Sequence, residues 1–266
     1  MLKVIISGYN GTMGRVSPPK DISIKNATHC DLLICVKKDN ELELVCGVAR
    51  SADEKGHHSD TKLYKTMTDV TEKTDVIIDF SHHETLEPIL SYALKNNTPV
   101  VLATTGYDEN DLNKIEEASK NIPILLSSNT SLGVNILIKL VKYASKMLEG
   151  FDIEIIEKHH NRKEDAPSGT ATMIANAIRE VLPESENTHG RYGRDCKRKP
   201  NEIGIHSIRG GNIISDHDVV FAGDNEVLTL SHHSQSDEVF ANGSIVAAKF
   251  LIGKQSGLYK MSDILG

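Results

Sequence analysis

A chain of 266 residues with 30 Lys and Arg against 37 Asp and Glu carries a formal charge of −7 at pH 7, and 39% of its residues are hydrophobic and 25% charged. That length and apolar content support one large domain or two modest ones with real cores, and exclude wholesale disorder. The acidic balance lacks the broad basic footprint of non-specific phosphate binding, so no nucleic-acid partner is expected.

The four cysteines, Cys30, Cys35, Cys46 and Cys196, have no C-x-x-C spacing, so neither a zinc site nor a disulfide framework is expected, and no metal. No apolar run approaches the roughly 18 residues of a membrane-spanning helix, and the opening residues lack a long apolar leader. The expectation is a cytoplasmic protein with no membrane partner. The unusual feature is histidine: there are 12, and adjacent pairs stand at 57–58, 82–83, 159–160 and 232–233.

The first apolar run, Leu2 to Ser7, leads directly into Gly8-Tyr9-Asn10-Gly11-Thr12-Met13-Gly14, a strand entering a glycine turn. Glycines at this spacing let backbone N–H groups approach a pyrophosphate, which the N-terminal end of a following helix also attracts. Pro18-Pro19 predict that this helix is short or displaced. Further strand-like runs stand at 42–48, 76–80, 99–104 and 122–127. Helical patterns at 84–96 and 108–120 separate the last three, the second with Asp108 as N-cap and Leu112, Ile115 and Ala118 facing the sheet. Alternating strands and helices predict an α/β fold with a doubly wound, Rossmann-type nucleotide-binding domain.

The end of the second strand discriminates between cofactors, because an acidic residue there holds a ribose diol and a basic one accommodates a 2′-phosphate. If 42–48 is that strand, its tip is Ala49-Arg50; if 31–36 is, Lys37-Lys38-Asp39 follow. Basic residues follow either way, which favours NADPH over NADH.

From Ser131 the pattern changes. Leu132, Ile136, Leu140, Ala144 and Leu148 predict a long amphipathic helix opening a second, α+β domain. The expected division is 1–130 for the dinucleotide, with 240–266 packing back on it, and 131–239 for substrate and oligomerisation. Residues 151–159 alternate as a strand, a polar turn spans 161–167, and a helix with Ala171, Ile174, Ala175 and Ile178 on its apolar side follows. Residues 184–201 read as a mobile loop. Strands are expected at 203–208, 213–221 and 227–231, with hairpin turns at Gly210-Gly211 and Gly223-Asp224-Asn225, and a helix at 245–251.

The densest chemistry is Glu157 to Ala171. Ser168 is a good N-cap, and Gly169 lets a ligand approach the free N–H groups of the first helical turn. With the Lys163 charge these form an anion site suited to a carboxylate. His159 and His160 beside it point to proton transfer on a carboxylate-bearing substrate.

This stretch resembles the signature H-H-x-x-K-x-D-x-P-S-G-T-A of the 4-hydroxy-tetrahydrodipicolinate (dihydrodipicolinate) reductases of lysine and diaminopimelate biosynthesis. Further matches to that family are Gly8–Arg15, Asp79-Phe80-Ser81, Ala103–Gly106, Ser127-Ser128-Asn129, Phe240–Gly243 and Lys254–Leu265. The resemblance implies an NAD(P)H-dependent oxidoreductase in which His159 is the acid/base residue and Lys163 a proton donor. His160, Gly169 and Thr170 would bind substrate. It also implies that the backbone of Gly8, Tyr9, Asn10, Gly11, Thr12 and Met13 holds the pyrophosphate. Phe80, Ala103, Thr104, Thr105, Ser127, Ser128, Asn129 and Thr130 would line the rest of the cofactor site, and a homotetramer is expected. Three positions depart from the family pattern: the long 16–40 segment, Ala103 where glycine is usual, and Asp237 where arginine is usual.

Rival two-domain dehydrogenases fit less well. An aspartate-semialdehyde type needs a nucleophilic cysteine opening the second domain, and no cysteine lies between Cys46 and Cys196. A sugar-dehydrogenase type carries Lys-Pro after a central strand, and here Lys199-Pro200 falls in the polar loop. A regulator that had kept only the fold would be expected to lose His159 or Lys163.

Overall fold

In a computed structural model, which describes residues 1–9, 31–50 and 61–266, the chain forms two compact units: Met1–Ser131 with Glu238–Gly266, and Leu132–Asp237. The residues Asn10, Gly11, Thr12 and Met13, Pro18-Pro19 and the histidine pair 57–58 lie outside the described residues.

The first unit is built on β1 (Leu2–Ser7), β2 (Leu42–Val48), β3 (Leu63–Tyr64), β4 (Val76–Asp79), β5 (Val100–Leu102), β6 (Pro123–Leu126) and β12 (Gly257–Tyr259). Their order is β12-β6-β5-β4-β1-β2-β3, and every neighbouring pair is parallel. Strands buried on both faces read as continuous Val/Ile/Leu runs, which is why their existence is visible in the sequence. On one face α2 (Leu86–Asn96) and α3 (Glu109–Ser119) cover Ile5, Ile77, Val100, Leu102 and Ile124. The alternate strand residues turn to the other face, where α6 (Glu238–Leu251) lies on β4, β5 and β6, beside α1 (Asp31–Lys38). The order reverses between β1 and β4, so the crevice beyond their carboxyl ends is the ligand position general to such sheets.

Residues 31–36 are therefore helix and not the second strand, which is β2. Leu32, Leu33 and Val36 are buried as one helical stripe, a pattern that so short an apolar run does not distinguish from a strand. Lys37 and Lys38 end that helix, where they complement its dipole. Asp108 caps α3 by accepting a hydrogen bond from Asp111 N at 2.8 Å, but Leu112 is exposed and only Ile115, Ala118 and Ser119 are buried.

The second unit contains α4 (Leu132–Met147), β7 (Asp152–His159), α5 (Gly169–Val181), β8 (Glu186–His189), β9 (Glu202–Arg209), β10 (Ser215–Ala222) and β11 (Val227–Ser234). The sheet order is β11-β10-β7-β9-β8; β7 is antiparallel to β10 and parallel to β9. Ile153, Ile155, Ile203, Ile205, Val219 and Phe221 face the helices α4 and α5.

Three details differ from expectation. The buried stripe of α4 is Val134, Leu137, Val141 and Ala144, while Ile136 and Leu140 are exposed; a repeat of four drifts off a 3.6-residue turn. Gly210-Gly211 does not make a hairpin, because β9 and β10 lie on opposite sides of β7, whereas Gly223 does turn the antiparallel β10–β11 pair. Within 184–201, residues of β8 pair with β9, and Arg191 and Arg198 are ion-paired to Glu202, Glu154 and Asp152. Charges facing charges hold this segment, and a composition that reads as solvated loop conceals them.

Candidate functional site

The carboxyl ends of β1 and β4 meet closely. Gly8 has φ of +84°, and a Cβ built on it would stand 2.4 Å from Phe80 O, so only glycine fits. Gly8 N and Tyr9 N both donate to Val48 O, at 3.0 and 3.1 Å. Both N–H groups are thus used within the sheet, Gly8 leaves the space of a missing side chain, and the Tyr9 side chain is buried. A cavity of about 560 Å³ opens here, lined by Gly8, Ala49, Arg50, Phe80, Ser81 and Glu84 among others. A second, of about 280 Å³, shares Phe80 and Ser81 and adds Ala103, Thr104, Thr105, Ser128, Thr130 and Phe240.

The structure thus gathers Gly8, Arg50, Phe80, Ala103, Thr104, Thr105, Ser128 and Thr130 around one crevice at the switch point. Arg50 stands at the tip of β2 with its guanidinium 3.4 Å from Glu84 Oε2. Ser127 and Asn129 serve the local turn: Ser127 Oγ donates to Asn129 O at 2.7 Å, and Asn129 Oδ1 accepts from Ser131 N at 3.0 Å.

Beneath the crevice lies Asp79, whose role the sequence reading missed. It is fully buried and accepts from Thr104 Oγ1 at 2.7 Å and Ser81 N at 3.2 Å, joining the ends of β4 and β5. Burial pushes its carboxyl pKa up, against the lowering effect of the Ser81, Thr104 and Ser7 hydrogen bonds.

The second unit carries the histidine chemistry. Alternation along β7 turns Glu157 and His159 to the same buried face as Ile153 and Ile155. Glu157 is wholly buried, and His159 Nδ1 lies 2.6 Å from its Oε2. Arg209, at the end of β9, donates from two guanidinium nitrogens to the two Glu157 oxygens, each at 2.8 Å. Ser168 N adds a fourth bond to Oε1 at 3.1 Å. Burial opposes the Glu157 charge, but Arg209, Ser207 and His159 outweigh it and hold the carboxyl at about 2.

An ionised carboxylate only accepts, so His159 Nδ1 carries the hydrogen of that bond and Nε2 is the atom left to exchange a proton. Burial depresses the His159 pKa, and the Lys163 and Arg209 charges add to this, while Glu157 opposes it. His160 follows the end of β7, and its Nδ1 is buried without a hydrogen-bond partner.

Lys163 sits in the turn that follows β7. Its ammonium pairs with Asp165 Oδ1 at 2.8 Å and holds that carboxyl below its usual range. Ser168 caps α5, Oγ accepting from Ala171 N at 3.2 Å. Gly169 opens the helix, and a Cβ there would meet nothing within 4 Å. Helix N–H groups, an open glycine, an ammonium and an imidazole thus belong to one end of this unit, with Thr170 in the first turn of the helix. Besides Asp79, the sequence reading missed the roles of Glu157 and Arg209, and of His217, whose Nε2 lies 3.0 Å from Ser168 Oγ. The spacing Glu157-x-His159 was a usable signal, since alternate strand residues share a face.

Among the described residues, no group of His, Cys, Asp and Glu is placed to hold a metal ion, and no helix is long and apolar enough to cross a membrane. Lys199-Pro200 lies in the segment leading into β9, and Asp237 is the last residue of the second unit.

An all-parallel doubly wound sheet with a crevice at its switch point, followed by a mixed sheet bearing a histidine–carboxylate pair, defines the class of two-domain Rossmann-type oxidoreductases. Comparison with known proteins narrows the class. Residues 2–130 match the family model described as dihydrodipicolinate reductase, N-terminus, and residues 133–265 the one described as dihydrodipicolinate reductase, C-terminus. A 4-hydroxy-tetrahydrodipicolinate reductase of Caldanaerobacter subterraneus subsp. tengcongensis is 52% identical over 266 residues, covering 100% of this chain and 98% of that one. One from Clostridium tetani is 44% identical, covering 100% and 97%. A dipicolinate-bound dihydrodipicolinate reductase structure from Paenisporosarcina sp. TG-14 shares the fold with a TM-score of 0.78 at 24% identity, covering 98% of this chain and 97% of that chain. The chain belongs to the dihydrodipicolinate reductase family.

Proposed function

We propose that the protein reduces 4-hydroxy-tetrahydrodipicolinate to tetrahydrodipicolinate and water, in lysine and diaminopimelate biosynthesis. The observation that carries this reading is the buried Glu157–His159 pair, followed in the chain by Lys163 and the open helix start at Ser168-Gly169, in a chain of this family. The division of labour is that Met1–Ser131 with Glu238–Gly266 holds the cofactor and Leu132–Asp237 holds the substrate and makes the contacts of a homotetramer.

The residues of the first unit fit a reduced nicotinamide dinucleotide: glycine at the β1 turn, the small polar residues Thr104, Thr105, Ser128 and Thr130 lining the second cavity, and a cation at the β2 tip. When bound, that group supplies a hydride to the ring of the dehydrated cyclic imine. The first turn of α5 at Gly169 and Thr170, with His160, binds the substrate carboxylates. Lys163 neutralises carboxylate charge and donates a proton, and His159 Nε2 exchanges a proton with the substrate. Arg50 favours NADPH by meeting the 2′-phosphate.

The test is absorbance of the reduced nicotinamide when the protein is mixed with the freshly generated condensation product of pyruvate and aspartate semialdehyde. NADPH and NADH are run in parallel. Turnover with a lower KM for NADPH is expected; no turnover by folded protein overturns the function, and a strong NADH preference overturns the role of Arg50.

A further inference from the structure

The Glu157 carboxylate is engaged at both oxygens. Its two oxygens take His159 Nδ1, both terminal nitrogens of Arg209 and the N–H of Ser168. Those partners come from β7, β9 and the cap of α5. Arg209 makes two more bonds: one terminal nitrogen donates to Ile208 O at 2.9 Å, and the other to Asp165 O at 2.7 Å, in the turn that carries Lys163. The same turn is tied again where Asn161 N donates to Gly211 O and Arg162 to Asn212 Oδ1, just beyond β9.

We infer that Glu157 and Arg209 are positioning residues: the bidentate guanidinium holds the carboxylate where it fixes the tautomer and direction of the His159 ring, and through Asp165 O it sets the turn bearing Lys163. The inference rests on the proposed roles of His159 and Lys163 in proton transfer. A planar fork on a carboxylate leaves that carboxylate one orientation, which a lysine in the same place would not do. An orienting carboxylate on Nδ1 makes Nε2 the proton-exchanging atom and supports the imidazolium when it forms. Arg209 supplies the charge that keeps so buried a carboxylate ionised, and without ionisation the hydrogen of the Nδ1 bond would have no fixed owner.

The charged and titratable groups facing His159 are Glu157 on its own strand, Lys163 in the turn, Arg209 on β9 and His217 on β10, whose ring centroid is 5.4 Å from that of His159. Glu157→Gln removes the negative member of this set. It is expected to lower kcat on the order of 100-fold with little change in KM. The limb of the pH–rate profile governed by His159 should move to lower pH, because the imidazolium loses its carboxylate.

Arg209→Lys keeps the charge and loses the fork. A smaller fall in kcat is expected, with that limb in place. Nitrogen-15 NMR of the histidine rings in the full chain reads positioning without turnover: wild-type His159 should carry its hydrogen on Nδ1, Glu157→Gln should show a mixture, and Arg209→Lys, which keeps the carboxylate ionised, should retain Nδ1–H. A folded Glu157→Gln variant with wild-type kcat and an unmixed Nδ1–H ring overturns the inference, as does wild-type His159 protonated on Nε2. Failure of wild-type turnover with the tautomers as expected would count against the substrate assignment and leave the positioning role standing.

Discussion

His217 Nε2 lies 3.0 Å from Ser168 Oγ, so the residue that caps α5 is itself held by a buried histidine one sheet position from Glu157. Burial, reinforced by the nearby His159 and His232 rings, lowers the His217 pKa to about 4. The ring is neutral at pH 7.

A titration of stability follows from that value. The unfolded chain protonates this imidazole near 6.5 and the folded chain only near 4, so the unfolded state binds more protons between them. Stability from this group is complete above pH 6.5 and falls as the pH is lowered toward 4, by roughly 3 kcal/mol at most. Urea unfolding across pH 4 to 7 should show that slope, and His217→Gln should reduce it by about one proton. An unchanged slope in the variant would assign the acid sensitivity elsewhere.

Ser168→Ala removes the cap and leaves His217 Nε2 without its partner. The expected loss is about 1–3 kcal/mol, from the cap and from an unsatisfied buried nitrogen together. Thermal unfolding of the variant measures it. A fall in substrate affinity should accompany it, because the first turn of α5 is the proposed carboxylate site.

Arg50 makes an exposed pair with Glu84 at the mouth of the outer cavity. Arg50→Ala should weaken NADPH binding about tenfold, equivalent to about 1.4 kcal/mol, and leave NADH nearly unaffected. Glu84→Gln should move the ratio the other way by freeing the guanidinium. Fluorescence titration with each nucleotide checks both.

Gly8→Ala forces a Cβ against Phe80 O in a backbone conformation that alanine rarely adopts. The strain costs at least about 1–3 kcal/mol, before any backbone shift between β1 and β4. Both a lower Tm and loss of nucleotide binding are expected. The double variant His159→Ala, Lys163→Ala is the contrast: it should lose most of kcat while nucleotide binding, measured by the same titration, is retained.

The parallel strands were legible because both of their faces are apolar, and Ser168 because capping is a local matter of four residues. Glu157 and Arg209 were not. A buried charge on a strand reads as a solvent-facing one until its counter-charge is known, and Arg209 stands 52 residues further along the chain. Asp79 was seen only as a strand end for the same reason, since Thr104 and Ser7 meet it through the sheet. The family resemblance named His159 and Lys163, while the network that aims them had to await three dimensions.

The first unit is closed by α6 and β12, which lie beyond the second unit in the chain. Thr130 Oγ1 donates to Phe240 O at 2.7 Å, and a Cβ at Gly243 would stand 1.8 Å from Thr130 O, so departure and return of the chain are fastened together. During synthesis the first sheet therefore lacks an edge strand and a covering helix until the inserted unit has been made. The unit begun first on the ribosome is the one completed last.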